Sequence, residues 1–190
     1  MSNIASRSTK DRLIETAREL FLSEGIPQTG INKVIATADV ARMTLYNNFA
    51  SKDDLILAVF EREAELRRDA ILEAQEDLEG PTERVLALFD VAREVASHKG
   101  FRGCAFINLA IEVAAPDSAL HLLAQEHKTW ISANIRSQLG EGMFSDPDAL
   151  AQQIAVLWDG GIVGAYVNQS DRPIHLARDA ARTLMRAAAQ

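Results

Sequence analysis

The stretch that decides the fold runs TGINKVIATADVARMTLYNNF over residues 29–49. The spacing of its apolar residues predicts two short helices, Ile31–Ala38 and Arg42–Asn48, separated by Asp39 and Val40. Asp39 lies where such a turn favours a positive φ, which Asp tolerates better than most residues. Two helices joined in this way can pack at a steep angle and present the second helix to the major groove of DNA.

The outward face of the second predicted helix carries side chains suited to nucleic acid. Arginine can pair with guanine and asparagine with adenine, while threonine and methionine can contact the thymine methyl group. Tyrosine, threonine and lysine near the helix ends suit phosphate contacts, which set the register on the duplex. The predicted DNA-contacting residues are Thr29, Lys33, Arg42, Met43, Thr44, Tyr46, Asn47, Asn48 and Lys52. On spacing alone, an ordinary helical hairpin with a solvated face is the alternative.

The rest of the chain has the pattern of helices throughout, without the alternation typical of strands. Glycine and proline positions divide it, and Gly25 is expected to end the first helix in a left-handed conformation. The further predicted helices are Ser8–Glu24, Ser51–Leu78, Pro81–His98, Cys104–Ala114, Asp117–Leu139, Asp146–Asn168 and Pro173–Ala189. We therefore predict an all-α protein with a three-helix, helix-turn-helix head over residues 1–50 and a helical body over residues 51–190.

Charge is distributed unevenly along the chain. The net charge is -7, but residues 1–52 carry seven basic and five acidic side chains, so the head is mildly basic and the body acidic. This arrangement would direct the head toward DNA, since only the contacting face must attract phosphate. No apolar run approaches 18 residues, residues 1–10 lack an apolar signal region, and Cys104 is the single cysteine. These features predict a cytoplasmic protein without a disulfide framework or a membrane partner.

A run within the opening stretch resembles the head of the TetR family of transcriptional regulators. It reads TLYNNFASKDDL over residues 44–55, with Leu45, Tyr46, Phe49, Lys52 and Leu55 at the positions that carry the likeness. The segment around residues 17–25 is also similar, and so is the run RGCAFIN over residues 102–108 to some branches of the family.

Three residues depart from the family pattern. Asp39 replaces the usual turn glycine, and Ile35 stands where a small alanine is usual. Ala41 occupies a position where serine is common, so the second helix lacks a side-chain N-cap, an omission that costs about 1 kcal/mol. These changes bear on how the head docks on DNA and leave the predicted fold unchanged.

The resemblance implies a function for both parts of the chain. It implies a repressor that binds a palindromic DNA operator as a homodimer and is released by a small-molecule effector. The last two helices would pair with those of a second copy in a four-helix bundle, and the body would hold the effector. No cofactor is implied. We expect Gly160, Gly161 and Gly164 to give this dimer interface its small face.

Aromatic and polar residues spread over several body helices would suit an amphiphilic ligand. The predicted ligand-binding residues are Phe89, Phe106, Asn108, Glu112, His127, Trp130, Trp158 and Tyr166. The same residues could instead fill an ordinary core.

Other functions find less support in the sequence. Cys104 has apolar neighbours, which favours a buried small side chain over a nucleophile. His121 and His127 are six residues apart and do not share a helix face, so we predict no metal site. No nucleophile adjoins a base in the pattern, so we expect no enzymatic activity. A helical protein-interaction module without DNA binding remains the alternative function.

Overall fold

The protein is all-α, as predicted, and the computed structural model describes residues 8–112 and 115–190. An isolated bridge joins Phe144 to Ala189. In the described residues the helices, numbered in chain order, are α1 (Thr9–Glu24), α2 (Ile31–Ala38), α3 (Arg42–Asn48), α4 (Lys52–Glu76), α5 (Pro81–Ser97), α6 (Ala105–Glu112), α7 (Ala119–Leu139), α8 (Pro147–Asn168) and α9 (Arg172–Ala188). Predicted and observed bounds differ by at most two residues, except that the predicted end of α6 at Ala114 lies outside the described residues.

Helix α1 begins and ends with local contacts. The Ser8 hydroxyl accepts from the amide of Asp11 at 3.1 Å, and the Asp11 carboxylate accepts from the amide of Ser8 at 3.2 Å. This reciprocal capping box satisfies two amides that the helix leaves free. Gly25 ends the helix at φ 99° and ψ 157°, a positive φ with extended ψ, so the predicted left-handed conformation at this residue is wrong.

The turn between α2 and α3 has the predicted geometry. Asp39 adopts the left-handed conformation at φ 51° and ψ 57°, and Ala41 provides no side-chain cap for α3. Val34 and Leu45 are fully buried where the two helices meet the rest of the head. The apolar pattern therefore fixes which face of α3 points outward.

Helices α8 and α9 pack closely within one chain, and their glycines explain how. A methyl group added at Gly161 would lie 3.0 Å from Cβ of Ala177, and one added at Gly164 would lie 2.8 Å from Cβ of Pro173. Both glycines therefore face α9 of the same chain, which corrects the expectation that they form the dimer face. At Gly160 an added methyl group would meet nothing within 4 Å.

No described helix is both long enough and apolar enough to cross a membrane.

The glycines of α8 give a paired stability prediction. Gly164→Ala should lower the free energy of unfolding because its methyl group collides with Pro173, and overpacking of this kind costs about 1–3 kcal/mol. Gly160→Ala is the comparison: its methyl group meets nothing within the chain, so it should not reproduce the loss caused by the collision with Pro173. Urea unfolding at a fixed protein concentration measures both. A Gly164→Ala protein as stable as the parent would contradict the packing described for α8 and α9.

Candidate functional site

The outward face of α3 is exposed and carries four of the predicted DNA-contacting side chains. Arg42 and Asn47 are exposed, Met43 is 67% exposed and Tyr46 is 42% exposed. Met43 and Tyr46 are thus apolar side chains that the folded chain leaves open to solvent. The face combines donors, an amide and apolar groups, which is the chemistry that base edges in the major groove require.

Two cations on this surface have partners within the head. Arg42 donates to the amide oxygen of Asn32, and Lys33 pairs with Glu24. All four side chains are on the surface, so these contacts are weak and can be exchanged for contacts with phosphate or base.

Other side chains predicted to contact DNA are less available for it, because they are buried, half-buried or already hydrogen-bonded within the chain. Thr29 is fully buried and its hydroxyl lies 3.4 Å from the Leu20 carbonyl, so its side chain is removed from the proposed interface. Asn48 donates to the Thr44 carbonyl at 2.7 Å within α3, which leaves both residues half-buried. Lys52 donates to the carbonyl of Ile26 at 2.8 Å and therefore anchors the loop after α1.

A cavity of about 520 Å³ lies between α1 and the body. This volume is typical of small-molecule sites. Of the predicted ligand-binding residues, those that border the cavity are Phe106, Asn108, Glu112, His127 and Trp158. Phe89 is buried in the core instead, Trp130 packs beneath Arg68, and Tyr166 packs on Phe101 and Gly103, so these three lie away from it.

The head itself forms part of the cavity wall. Arg18 and Phe21 of α1 and Ile26 of the following loop all border it. The sequence contains no direct indication that the first helix would border this cavity. Only the fold brings α1 against α4.

A buried carboxylate joins α1 to α4 at this wall. Glu63 is fully buried, and its two oxygens accept from Arg18 at 2.9 Å and from Arg67 at 2.6 Å. Burial lowers the pKa of the Arg18 guanidinium and Glu63 raises it, with the net effect upward. Sequence analysis missed this cluster. The sequence feature that could have revealed it is the position of Glu63, which lies four residues after the buried Val59 and therefore on the apolar face of α4.

A second contact joins the cavity wall to the head. One carboxylate oxygen of Glu112, at the described end of α6, accepts from the backbone amide of Ile26 at 3.0 Å. Lys52 donates to the carbonyl of the same residue, Ile26. The loop between α1 and α2 is thus held by one side chain from α6 and one from α4.

His127 of α7 forms the aromatic part of the wall with Phe106. The two rings stack with centroids 3.7 Å apart and planes 11° apart. Burial, followed by the charges of Lys128, Arg68 and Arg67, lowers the pKa of His127 to about 3. The ring is therefore neutral at physiological pH.

Cys104 also borders the cavity and is buried. Burial raises the pKa of its thiol above the ordinary value. The thiol is consequently protonated and a poor nucleophile, as the interpretation of a small buried side chain requires. Among the described residues, no three histidine, cysteine or acidic side chains are grouped closely enough to hold a metal ion.

The buried neutral histidine gives a pH prediction. Its pKa is near 6.5 in the unfolded chain and about 3 in the folded protein, so its contribution to stability is complete above pH 6.5 and declines below it. Between pH 7 and pH 5 the parent protein should lose about 2 kcal/mol of unfolding free energy relative to His127→Gln. Urea unfolding at both pH values measures this difference. His175→Gln, at an exposed histidine, is the control, and equal pH slopes for the parent and His127→Gln would contradict the assignment.

Comparison with known proteins agrees with this architecture. Residues 13–59 match the family described as "Bacterial regulatory proteins, tetR family", and residues 81–181 match "Tetracyclin repressor-like, C-terminal domain". The chain is 23% identical over 186 residues to the HTH-type transcriptional repressor NemR of Escherichia coli, covering 93% of this chain and 94% of NemR. It is 29% identical over 175 residues to the transcriptional regulator AcuR of Cereibacter sphaeroides, covering 86% and 78%.

Solved structures lead to the same family. A TetR-family transcriptional regulator from Streptomyces coelicolor superposes with a TM-score of 0.87 at 28% identity over 96% of each chain. The reduced form of E. coli NemR superposes with a TM-score of 0.80 at 23% identity, over 93% of this chain and 96% of NemR, and supports the fold. With a helix-turn-helix head, a helical body and family matches over both, the chain belongs to the TetR family of bacterial transcriptional regulators.

Proposed function

We propose that this regulator is a repressor that binds a near-palindromic operator as a homodimer and leaves it when a small molecule occupies the cavity. The observation that carries the proposal is the shared wall, because α1 of the head and α4, α6 and α7 of the body enclose one space. A molecule that fills this space must act on the head directly. We propose no catalytic role for the cavity, and we place the regulator in the bacterial cytoplasm.

The proposed DNA contacts follow from exposure. Arg42, Met43, Tyr46 and Asn47 project from α3 and would enter the major groove, with Thr44 and Asn48 behind them. Lys33 would add a phosphate contact once Glu24 is exchanged, and Lys52 would add one through the ammonium donors that it does not give to Ile26. We place the head over about residues 1–50 and the effector-binding and dimerising body over 51–190.

Exposed apolar residues on α8 and α9 support a homodimer. Val156 is 72% exposed, Val167 is 71% exposed and Leu176 is 59% exposed. One short recognition helix gives too little contact for a specific affinity, whereas two heads can read half-sites about 34 Å apart. We therefore assign the outer faces of α8 and α9 to the partner subunit.

Two contacts would link the ligand to the DNA. Glu112 holds the amide of Ile26, and Glu63 holds Arg18, so movement of α6 or α4 must move α1 or the loop after it. A ligand that favours the state with wrongly spaced heads would release the operator. To shift such an equilibrium almost completely, the ligand needs about 5 kcal/mol of differential affinity.

Selection of purified protein against random duplex DNA tests the proposed function. We expect one near-palindromic motif to be enriched at near-physiological salt. Enrichment of no motif by a folded dimer would contradict DNA binding by the ligand-free protein.

The selected operator then tests the face of α3. Arg42→Ala and Tyr46→Ala should each weaken operator binding about ten- to a hundredfold, because each removes a contact to base or phosphate. Arg93→Ala removes an equally charged and exposed side chain from α5 and is the matched control. Fluorescence anisotropy at constant salt measures the affinities. If Arg93→Ala weakened binding as much as Arg42→Ala, overall charge rather than α3 would be responsible.

The apolar face of α8 provides a test of assembly. Val156→Glu combined with Val167→Glu should shift the protein toward monomer, because a dimer would have to bury unpaired carboxylates. Sedimentation equilibrium measures the change. Leu72→Glu introduces the same group at a 51% exposed position of α4 and should leave the dimer intact. An unchanged dimer in the double variant would place the interface elsewhere.

Glu112→Gln provides a test of coupling. The neutral amide weakens the hydrogen bond to the Ile26 amide while keeping the size of the side chain. We expect operator affinity to change severalfold in the absence of any ligand, measured by anisotropy. Glu126→Gln, at an exposed glutamate of α7, should leave that affinity unchanged. Equal effects of the two substitutions would remove Glu112 from the proposed coupling.

A further inference from the structure

The cavity contains an aromatic wall with a histidine whose hydrogen-bonding capacity is not fully used. His127 is only 2% exposed, and neither ring nitrogen has a hydrogen-bond partner among the described residues; Nδ1 is closed off from solvent, so Nε2 is the nitrogen to which a ligand would be offered. Its ring stacks on Phe106, and Phe60 meets Phe106 edge-on with centroids 5.8 Å apart. A buried unpaired nitrogen costs free energy, so a ligand that offers it a polar atom gains more than contact area.

The cations near His127 favour a ligand without positive charge. Lys128, Arg68 and Arg67 all lie close enough to disfavour a proton on the ring. Each of the three is paired with a carboxylate, namely Asp159, Glu126 and Glu63, so a cationic ligand would find no free counter-charge here, whereas an electron-rich oxygen needs none and can accept from the ring. A neutral imidazole has one N–H donor, which can serve that oxygen.

The carboxylates at the buried wall are already occupied. Both oxygens of Glu63 accept from guanidinium groups of Arg18 and Arg67. Beside the lining residue Trp158, the half-buried Asp159 does not itself border the cavity and pairs with Lys128, whose ammonium group lies 4.6 Å from the centre of the Trp158 ring. A cationic ligand would therefore have to displace an existing ion pair to find a counter-charge here.

The remaining acidic side chains of the wall lie nearer the surface. Glu19 is exposed, and Glu112 already accepts from the amide of Ile26. Arg102 borders the same cavity and has no carboxylate within 4 Å among the described residues. Among the described acidic side chains of this wall, Glu112 is thus the position that could compete for a cation.

We infer that the effector is a planar aromatic molecule, uncharged or anionic, that packs along Phe60, Phe106 and Trp158 and presents an acceptor oxygen to His127. This inference rests on the proposed function, in which the cavity is the effector site. It deepens that function by excluding organic cations as the effector class.

Isothermal titration calorimetry with three probes on one two-ring skeleton tests the charge preference. The probes are 2-naphthoate, 2-naphthol and the trimethyl(2-naphthyl)ammonium cation, each titrated into the full-length protein without DNA. We expect the anion and the neutral phenol to bind at least tenfold more tightly than the cation. Equal or tighter binding of the cation would overturn the inference, and so would binding of none of the three at millimolar concentration.

Variants of His127 test the position of the oxygen. His127→Phe keeps an aromatic ring against Phe106 but removes the nitrogen atoms, so affinity for 2-naphthoate should fall at least tenfold. His127→Gln restores a hydrogen-bonding group and should recover part of the loss, which separates hydrogen bonding from a folding defect. His175→Phe, at an exposed histidine, should bind 2-naphthoate like the parent. Glu112→Gln should keep the preference for the anion over the cation, because the preference is assigned to His127 and not to Glu112. Unchanged affinity in His127→Phe would overturn the assignment of the acceptor oxygen to His127.

The outcome is independent of DNA binding. If 2-naphthoate binds through His127 but never alters operator affinity, the ligand class stands and the proposed release of the operator fails. If the operator is selected but the cavity prefers the cation, the repressor function stands and this inference fails.

Discussion

The structure depends on one buried carboxylate, Glu63, held between guanidinium groups of two helices. Arg18 reaches it from α1 at 2.9 Å and Arg67 from the next turn of α4 at 2.6 Å. A buried ion is tolerated only when its oxygens are satisfied, and here both are. The ion pair therefore fixes the position of α1 along α4. Because α1 and the recognition helix α3 belong to the same head, it also fixes the position of α3. It also forms part of the cavity wall, so the same interaction belongs to the head, to the body and to the candidate effector site.

That arrangement explains how a small cavity could govern a distant surface. The loop after α1 is held at Ile26 by Glu112 and Lys52, and α1 itself is held by Glu63. A ligand at this wall would need no long relay, since the first helix of the head borders the same cavity. The long helix α4 joins the head to the body covalently. The contacts of Glu63, Glu112 and Lys52 hold α1 and the loop after it in addition, and a change of state would alter these contacts. The aromatic stack of Phe106 and His127 lies at the same wall, where the proposed ligand would pack.

Sequence reasoning predicted the helices well because their ends are marked by local chemistry. Ser8, Asp39 and Gly80-Pro81 mark helix ends through contacts and backbone conformations that involve only nearby residues. The spacing of apolar residues shows which face of each helix is buried. The site was predicted less completely. His127 and Phe106 were found as polar and aromatic residues of the body, but Arg18 was missed because its role depends on contact with a residue 45 positions away. Gly161 and Gly164 were assigned to the wrong neighbour for the same reason, since close helix approach can occur within a chain or between chains.

A double-mutant cycle between Arg18 and Glu63 tests the central claim, which is that this ion pair holds the head against the cavity wall. Arg18→Met, Glu63→Gln and the double variant would be compared with the parent by urea unfolding at a fixed protein concentration. Lys33 and Glu24, a surface pair between α2 and α1 that shares no partner with Arg18 or Glu63, give the control cycle. The account predicts a coupling energy above about 1 kcal/mol for Arg18 and Glu63 and below about 0.5 kcal/mol for the control. Additive effects for Arg18 and Glu63 would contradict it.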